Sequence, residues 1–421
     1  MASNPQHQEL LRKYAETIVK VGLNLRAGQR LIITNATARG VPPAGRALVH
    51  EVTKAAYAAG ARFVDVIWGD EEMLRIRLQN APADSFNEYP KWHVNGILDM
   101  IEKGDALLSI YANDPDVYSG LDSERVGAMQ RSHLENWAPI SNLVTRNAVN
   151  WCVVASVAPA WAAKIFPDLN SEEAEEKLWQ AIFETTRATQ PDPFAAWGKH
   201  IKNLRKRADY LQAKKYSALH YKSENTDFTL GLPTGHKWIS AQSLAENGVV
   251  FTANMPTEEI FTLPDRQRAD GTVAATFPLS YGGSLIEDFS VTFENGKIIR
   301  VSAKKNETIL QKLVDTDEGS TRLGEVALVP ASSPIATRGH LFYNTLFDEN
   351  ASCHVAIGRA YRFTLTGGEE LTEEEFNAAG GNTSINHVDF MIGSPQMDID
   401  GLKEDGTREP VMQQGEWAFD L

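Results

Sequence analysis

Asn254-Met255-Pro256-Thr257-Glu258-Glu259-Ile260-Phe261-Thr262, Leu323-Gly324-Glu325-Val326-Ala327, Asp348-Glu349-Asn350-Ala351-Ser352-Cys353-His354 and Asn386-His387-Val388-Asp389 all fall in one stretch of the 421-residue chain, Asn254 to Asp389. Carboxylates and imidazoles bind borderline divalent cations such as Zn, Co and Mn, and the phenol of Tyr361 can join them. Two or more carboxylates with two histidines are enough for two ions. The most local signal is His387-x-Asp389, because residues i and i+2 of an extended strand face the same way and reach one ion together. His354 and Tyr361 lie an odd number apart, so a strand leading from one to the other must bend, and Gly358 is the place for it. Glu325 opens an apolar run, and a carboxylate buried there must be paired or bound to metal.

Around this stretch β-type runs predominate from Ser217 onward: Ala218 to Tyr221, Asp227 to Leu230, Gly248 to Ala253, Gly271 to Thr276, Leu285 to Phe293, Lys297 to Ala303, Glu325 to Val329 and His354 to Arg359. Asn295-Gly296 between two of them predicts a tight hairpin. The second half therefore reads as a mainly antiparallel β (α+β) metal-binding domain. Asp398-x-Asp400-Gly401 invites a calcium loop, but Leu402 and Lys403 stand where such a loop needs a ligand and a glycine. Turns on Asp400-Gly401 and Asp405-Gly406 are the expectation.

The first half alternates. Helical spacing over Leu10 to Leu25 precedes a β run at Gln29 to Thr34. Val49 to Ala59 precedes Arg62 to Trp68, and a helical stretch from Gly96 precedes Ala106 to Tyr111. A further strand is expected at Val149 to Val157, and a helix over Ser171 to Arg187 with Ser171 as its cap. Such alternation predicts an α/β amino-terminal domain with a mostly parallel sheet. Neither G-x-G-x-x-G nor G-x-x-x-x-G-K-[ST] follows any of these strands, so this half reads as scaffold and not as a nucleotide site. The basic helix Ala195 to Lys215 reads as a solvated connector. The boundary is placed inside it, giving domains 1–205 and 206–421.

A net charge of −14 argues against nucleic-acid and anionic-membrane partners. The longest apolar run, Trp151 to Ala163, is broken by Ser156 and Pro159 and is shorter than the ~20 residues of a spanning helix. No basic-then-apolar leader opens the sequence, so a cytoplasmic enzyme is expected. Cys152 and Cys353 suit a reducing compartment, and Cys353 reads as a buried thiol. Gly282-Gly283-Ser284-Leu285 lacks the second glycine of a serine-hydrolase elbow, and no H-E-x-x-H occurs.

The most specific of these runs, together with Phe342-Tyr343-Asn344-Thr345-Leu346-Phe347-Asp348-Glu349-Asn350-Ala351 and His387-Val388-Asp389-Phe390-Met391-Ile392-Gly393, resemble the family of aminopeptidase T and aminopeptidase S over essentially the whole chain. The resemblance implies a metalloaminopeptidase that uses two divalent ions (Zn, Co or Mn) to hydrolyse the amino-terminal residue from peptides with a free amino terminus, and a homodimer. It puts the metal ligands on Glu259, Glu325, His354, Tyr361, His387 and Asp389, spaced by 66, 29, 7, 26 and 2 residues. Glu325, central in the set, is expected to bridge. Glu258 is then a candidate general base, which requires a kink, since neighbours on a strand face opposite ways. A non-catalytic metal-binding protein is the alternative, and would show closed coordination shells.

Overall fold

The structure is a computed structural model describing residues 4–36, 40–281 and 284–421. Gly282 and Gly283, weighed above as part of a hydrolase elbow, lie outside these residues, as do Met1 to Ser3. Two compact units are present, Met1–His200 with Gln242–Pro256, and Ile201–Ala241 with Thr257–Leu421.

In the first unit the strands β1 (Arg30–Thr34), β2 (Phe63–Val66), β3 (Ala106–Tyr111) and β4 (Trp151–Ala155) form a parallel sheet in the order β2-β1-β3-β4. Their apolar residues face covering helices: Ile32 and Leu107 pack with Val94, Ile97 and Ile101 of the helix Lys91–Glu102. The short strand Asn254–Met255 adds to β4, also parallel. That pairing is why residues 242–256 belong with this unit, although the sequence pattern groups Gly248 to Ala253 with the β runs of the second half. The helix Ser171–Thr185 is capped by Asn170, whose side chain accepts from Glu173 N–H at 3.1 Å, and not by Ser171, which is its first residue. Asparagine caps as well as serine, and here it is the residue with extended backbone.

The second unit holds a nine-stranded sheet and a four-stranded sheet, antiparallel in every pairing. Asn295 and Gly296 both take positive φ (50° and 79°) in the hairpin joining Ser284–Glu294 to Lys297–Lys305. Asp400 and Gly401, expected as a turn, lie instead inside the strand Asp398–Leu402. The glycine is there for room: a Cβ would come within 2.5 Å of the Tyr216 ring. Asp405-Gly406 does turn the chain, with Lys403 N–H donating to Thr407 O at 2.9 Å.

The four-stranded sheet consists of β5 (Ile260–Thr262), β6 (Leu323–Leu328), β7 (His354–Gly358) and β8 (His387–Met391), in that order. One face is apolar. Val326, Val355, Ile357 and Phe390 join the core of the nine-stranded sheet, and Phe390 meets Phe289 at 5.5 Å between ring centres. Among the described residues no helix is long and apolar enough to cross a membrane.

The hairpin ends of the second unit are tied by Glu409. Its carboxylate accepts from Lys214 at 2.7 Å, Tyr216 at 3.0 Å and Lys403 at 2.6 Å, and these bonds hold its pKa down to about 2. A depressed carboxylate stabilises the fold above its unfolded value of 4.5, and the contribution is lost as pH falls toward 2. Glu409→Gln should therefore lower Tm by about 2 °C at pH 7. In paired thermal melts the difference from wild type should shrink steadily below pH 4.5.

Candidate metal centre

The other face of the four-stranded sheet gathers the candidate ligands, and register explains how. Opposed residues of adjacent strands share a face, and Glu325 opposes Ala356, which opposes Asp389. One step along, Ala327, His354 and Met391 form the next row, and Gly358 opposes His387. Glu325, His354, His387 and Asp389 therefore project together, with the methyl of Ala356 as the floor between the two carboxylates.

Glu325 reaches this face because β6 is irregular. Leu323 opposes Ile357 in the core, yet Glu325 opposes Ala356, so the register shifts between them and sends residues two apart to opposite faces. Gly324, at the shift, lies against the backbone of Gly358 and Arg359, where any Cβ would come within 2.3 Å. Gly358 itself bends the end of β7 at φ 107°. Tyr361 then follows outside the strand, opening the turn Arg362–Thr364, and its ring centre lies 4.8 Å from that of His387. Glu258 and Glu259 precede β5 in irregular backbone, so strand alternation does not separate them; both are buried.

The side chains form two overlapping groups, each within a 4.8 Å span: Glu259, Glu325 and His354, and Glu325, His387 and Asp389. His354 Nε2 lies 3.3 Å from Glu259 Oε2 and 3.6 Å from Glu325 Oε1. His387 Nε2 lies 3.6 Å from both Glu325 Oε2 and Asp389 Oδ1. Each imidazole is fixed from behind by a backbone carbonyl at Nδ1, His354 by Ser352 O at 3.0 Å and His387 by Arg359 O at 2.6 Å. With Nδ1–H donating there, the Nε2 lone pairs face the carboxylates, the arrangement that metal-binding histidines need.

The electrostatics fit a cation. Glu259 Oε2 and Asp389 Oδ1 are buried without a hydrogen-bond partner. Burial, with Asp389 and Glu259 nearby, pushes the pKa of Glu325 up against the pull of His354 and His387. Burial acts to lower that of His354, but Glu259 and Glu325 outweigh it and raise it well above the usual imidazole value. A second proton on His354 is what an arriving cation would displace. Burial and the charge of Glu325 keep Tyr361 a phenol well above its ordinary range. Oxygen and imidazole donors of this kind suit Zn, Co or Mn.

Two neighbours went unassigned in the sequence. Glu349 is pushed well above the usual carboxylate range by burial and by Glu259 and Asp389, so it shares their field. Asn350, wholly buried, accepts from Glu258 N–H at 2.7 Å. Neither sits in a periodic pattern, and in the polar run Asp348-Glu349-Asn350-Ala351-Ser352 nothing sets them apart from their neighbours. Asp348, by contrast, is occupied in holding its own loop, accepting from Phe342 N–H at 2.7 Å and Asn344 N–H at 3.0 Å. Cys353 faces the core, in contact with Val329 and Met412, and burial raises its thiol to about 11.

The chain matches the family model described as thermophilic metalloprotease (M29) over residues 7–417. It is 46% identical over 409 residues to Aminopeptidase AmpS of Bacillus subtilis, covering 97% of this chain and 98% of that one. It is 44% identical to Aminopeptidase T of Thermus thermophilus over 97% and 98% of the two chains. The solved structure of wild-type AmpT from Thermus thermophilus superposes with a TM-score of 0.91 at 42% identity, covering 97% of this chain and 99% of that one. With a buried carboxylate and imidazole cluster at its centre and this likeness along its whole length, the chain belongs to the M29 family of thermophilic metalloproteases.

Proposed function

We propose that this protein is an aminopeptidase that works with two divalent cations, removing the first residue of peptides that carry a free amino terminus. The observation that carries the reading is Glu325, whose two oxygens turn toward different histidines at equal distance, 3.6 Å. In this reading Glu259, Glu325 and His354 hold one cation. Glu325, His387 and Asp389 hold the other, with Tyr361 beside it. Two such ions supply Lewis acidity for the scissile carbonyl and bring water to nucleophile strength near neutral pH.

The remaining work falls to the chain. Ser352 O and Arg359 O keep the imidazoles oriented, and the apolar underside of the sheet keeps them from shifting. Glu258, its backbone fixed by Asn350, takes the proton given up by the attacking water and returns it to the leaving amine. The relatives' names, Aminopeptidase AmpS and Aminopeptidase T, support the substrate class. We also infer a homodimer from the family resemblance, and a cytoplasmic location, which the two free, buried cysteines support.

Free-amino aminoacyl chromogenic substrates should be hydrolysed and their amino-blocked counterparts should not, and prolonged chelation should abolish the rate until Zn, Co or Mn is restored. Equal cleavage of blocked substrates, or a rate indifferent to chelation, would remove the proposal.

Ala356 makes a sharper structural test, since strands spaced about 4.8 Å apart leave Glu325 and Asp389 about 10 Å apart at the backbone with only a methyl between. Ala356→Leu should reduce bound metal at least about tenfold while circular dichroism reports an intact fold, because one overpacked residue typically costs about 1–3 kcal/mol. Two full metal equivalents in that variant would mean the ions bind elsewhere.

Glu258→Gln should lower kcat by about 10² to 10⁴ with metal content unchanged. Glu259→Gln should instead lose metal, with activity partly recovered at excess cation. A near-wild-type Glu258→Gln enzyme ends the base assignment.

A further inference from the structure

The two candidate groups hang from opposite ends of β7. At its start, Ser352 O fixes His354, and Asn350 carries the Glu258 backbone that leads into Glu259. At its end, Arg359 O fixes His387, and Tyr361 follows two residues later. The five residues of the strand, about 16 Å of extended chain, separate the two supports.

The end that serves His387 is built round one buried amide. Asn382, wholly buried, donates from Nδ2 to Gly358 O at 2.6 Å and to Gly319 O at 2.8 Å, and its Oδ1 accepts from Arg266 Nε at 3.2 Å. Its backbone carbonyl accepts from Ala360 N–H at 2.8 Å, so Asn382 grips the chain on both sides of Arg359. The residues that follow are pinned by Asp317, whose carboxylate accepts from Ser384 Oγ, Ile385 N–H and Ser320 Oγ, each at 2.8 Å. Asn386 then donates from Nδ2 to Ser320 Oγ at 3.0 Å, and its carbonyl accepts from Arg359 N–H at 2.7 Å, one residue before His387. Backbones meet so closely here that a Cβ at Gly319 would strike Thr383 O and one at Gly358 would strike Asn386 O.

Without the Asn382 amide, Gly319 O and Gly358 O would be buried acceptors that have lost a donor, a cost that backbone movement relieves. Movement there carries Arg359 O away from His387 Nδ1 and takes Tyr361 with it. Disturbing what lies behind a metal-binding imidazole typically lowers metal affinity by about 10- to 100-fold. His354 escapes this, since its carbonyl partner stands at the other end of the strand.

We propose that Asn382, backed by Asp317, is a positioning residue that sets how tightly the cation at His387 is held and leaves the cation at His354 alone. The proposal rests on the two-metal reading above. It makes the two positions separable in affinity even though they share Glu325.

The test equilibrates holoprotein against buffers of stepped free Zn²⁺ and counts bound zinc by elemental analysis. Wild type is measured first: fewer than two equivalents at saturation is failure of the two-metal reading, seen before any residue is changed. In Asn382→Ala one equivalent should require at least about tenfold more free zinc, while the other stays within about threefold of wild type. A double-mutant comparison identifies which one. With the His387 position already removed by His387→Ala, adding Asn382→Ala should leave the remaining equivalent unchanged within about threefold. If Asn382→Ala does not fold, Asp317→Asn, which alters the partly exposed side of the junction, decides by the same pattern at a smaller size, at least about threefold. Equal weakening of both equivalents, no weakening of either, or a further loss on the His387→Ala background would overturn the proposal.

Discussion

The site depends on one irregularity in a strand. Regular alternation along β6 would put Leu323 and Glu325 on the same side of the sheet, leaving either a leucine among the candidate ligands or a carboxylate in the core. The shift at Gly324 resolves this by opposing Leu323 to Ile357 and Glu325 to Ala356. A buried carboxylate without partners is among the most costly groups a fold can hold, so that local defect decides whether Glu325 is tolerable at all. The strand residues beside it are regular: His354, His387 and Asp389 arrive there by plain two-residue periodicity in β7 and β8.

The acids on this face repel one another, and the protein offsets the repulsion with orientation instead of distance. Backbone carbonyls take the Nδ1 protons of both histidines, so the basic nitrogens point inward. The opposite face contributes Val326, Val355, Ile357 and Phe390 to the largest apolar cluster of the unit, which fixes the sheet's position. A sheet anchored on one side can carry an electrostatically unfavourable arrangement on the other, as functional sites commonly require.

Most of the architecture was legible in the sequence because it is periodic or punctuated. The β3 run was readable to the residue, and Asn295-Gly296 marked the hairpin between Ser284–Glu294 and Lys297–Lys305. What failed was local chemistry that tertiary contacts override. Asp400-Gly401 resembles a turn, but the glycine answers to the Tyr216 ring. Residues 250–251 look like part of the second half, but they pair within the first unit. The site was legible in a different way. No single acid or histidine among the six stands out by pattern except the His387-x-Asp389 pair, and the rest came from resemblance to known relatives. Glu349 and Asn350 were missed because a short turn has no period, and their neighbours come from distant parts of the chain.

Strand β7 has a consequence for how such a protein can vary. Val355 and Ile357 belong to the core, while His354 and Ala356 belong to the site, residue by residue along five positions. Substitution can alter one side and spare the other. Insertion or deletion of a single residue cannot, because it exchanges the two sets along the rest of the strand. Point changes can therefore tune the site without disturbing the core, but the length of this strand varies only as a unit, and a change in it would cost fold and chemistry in one event.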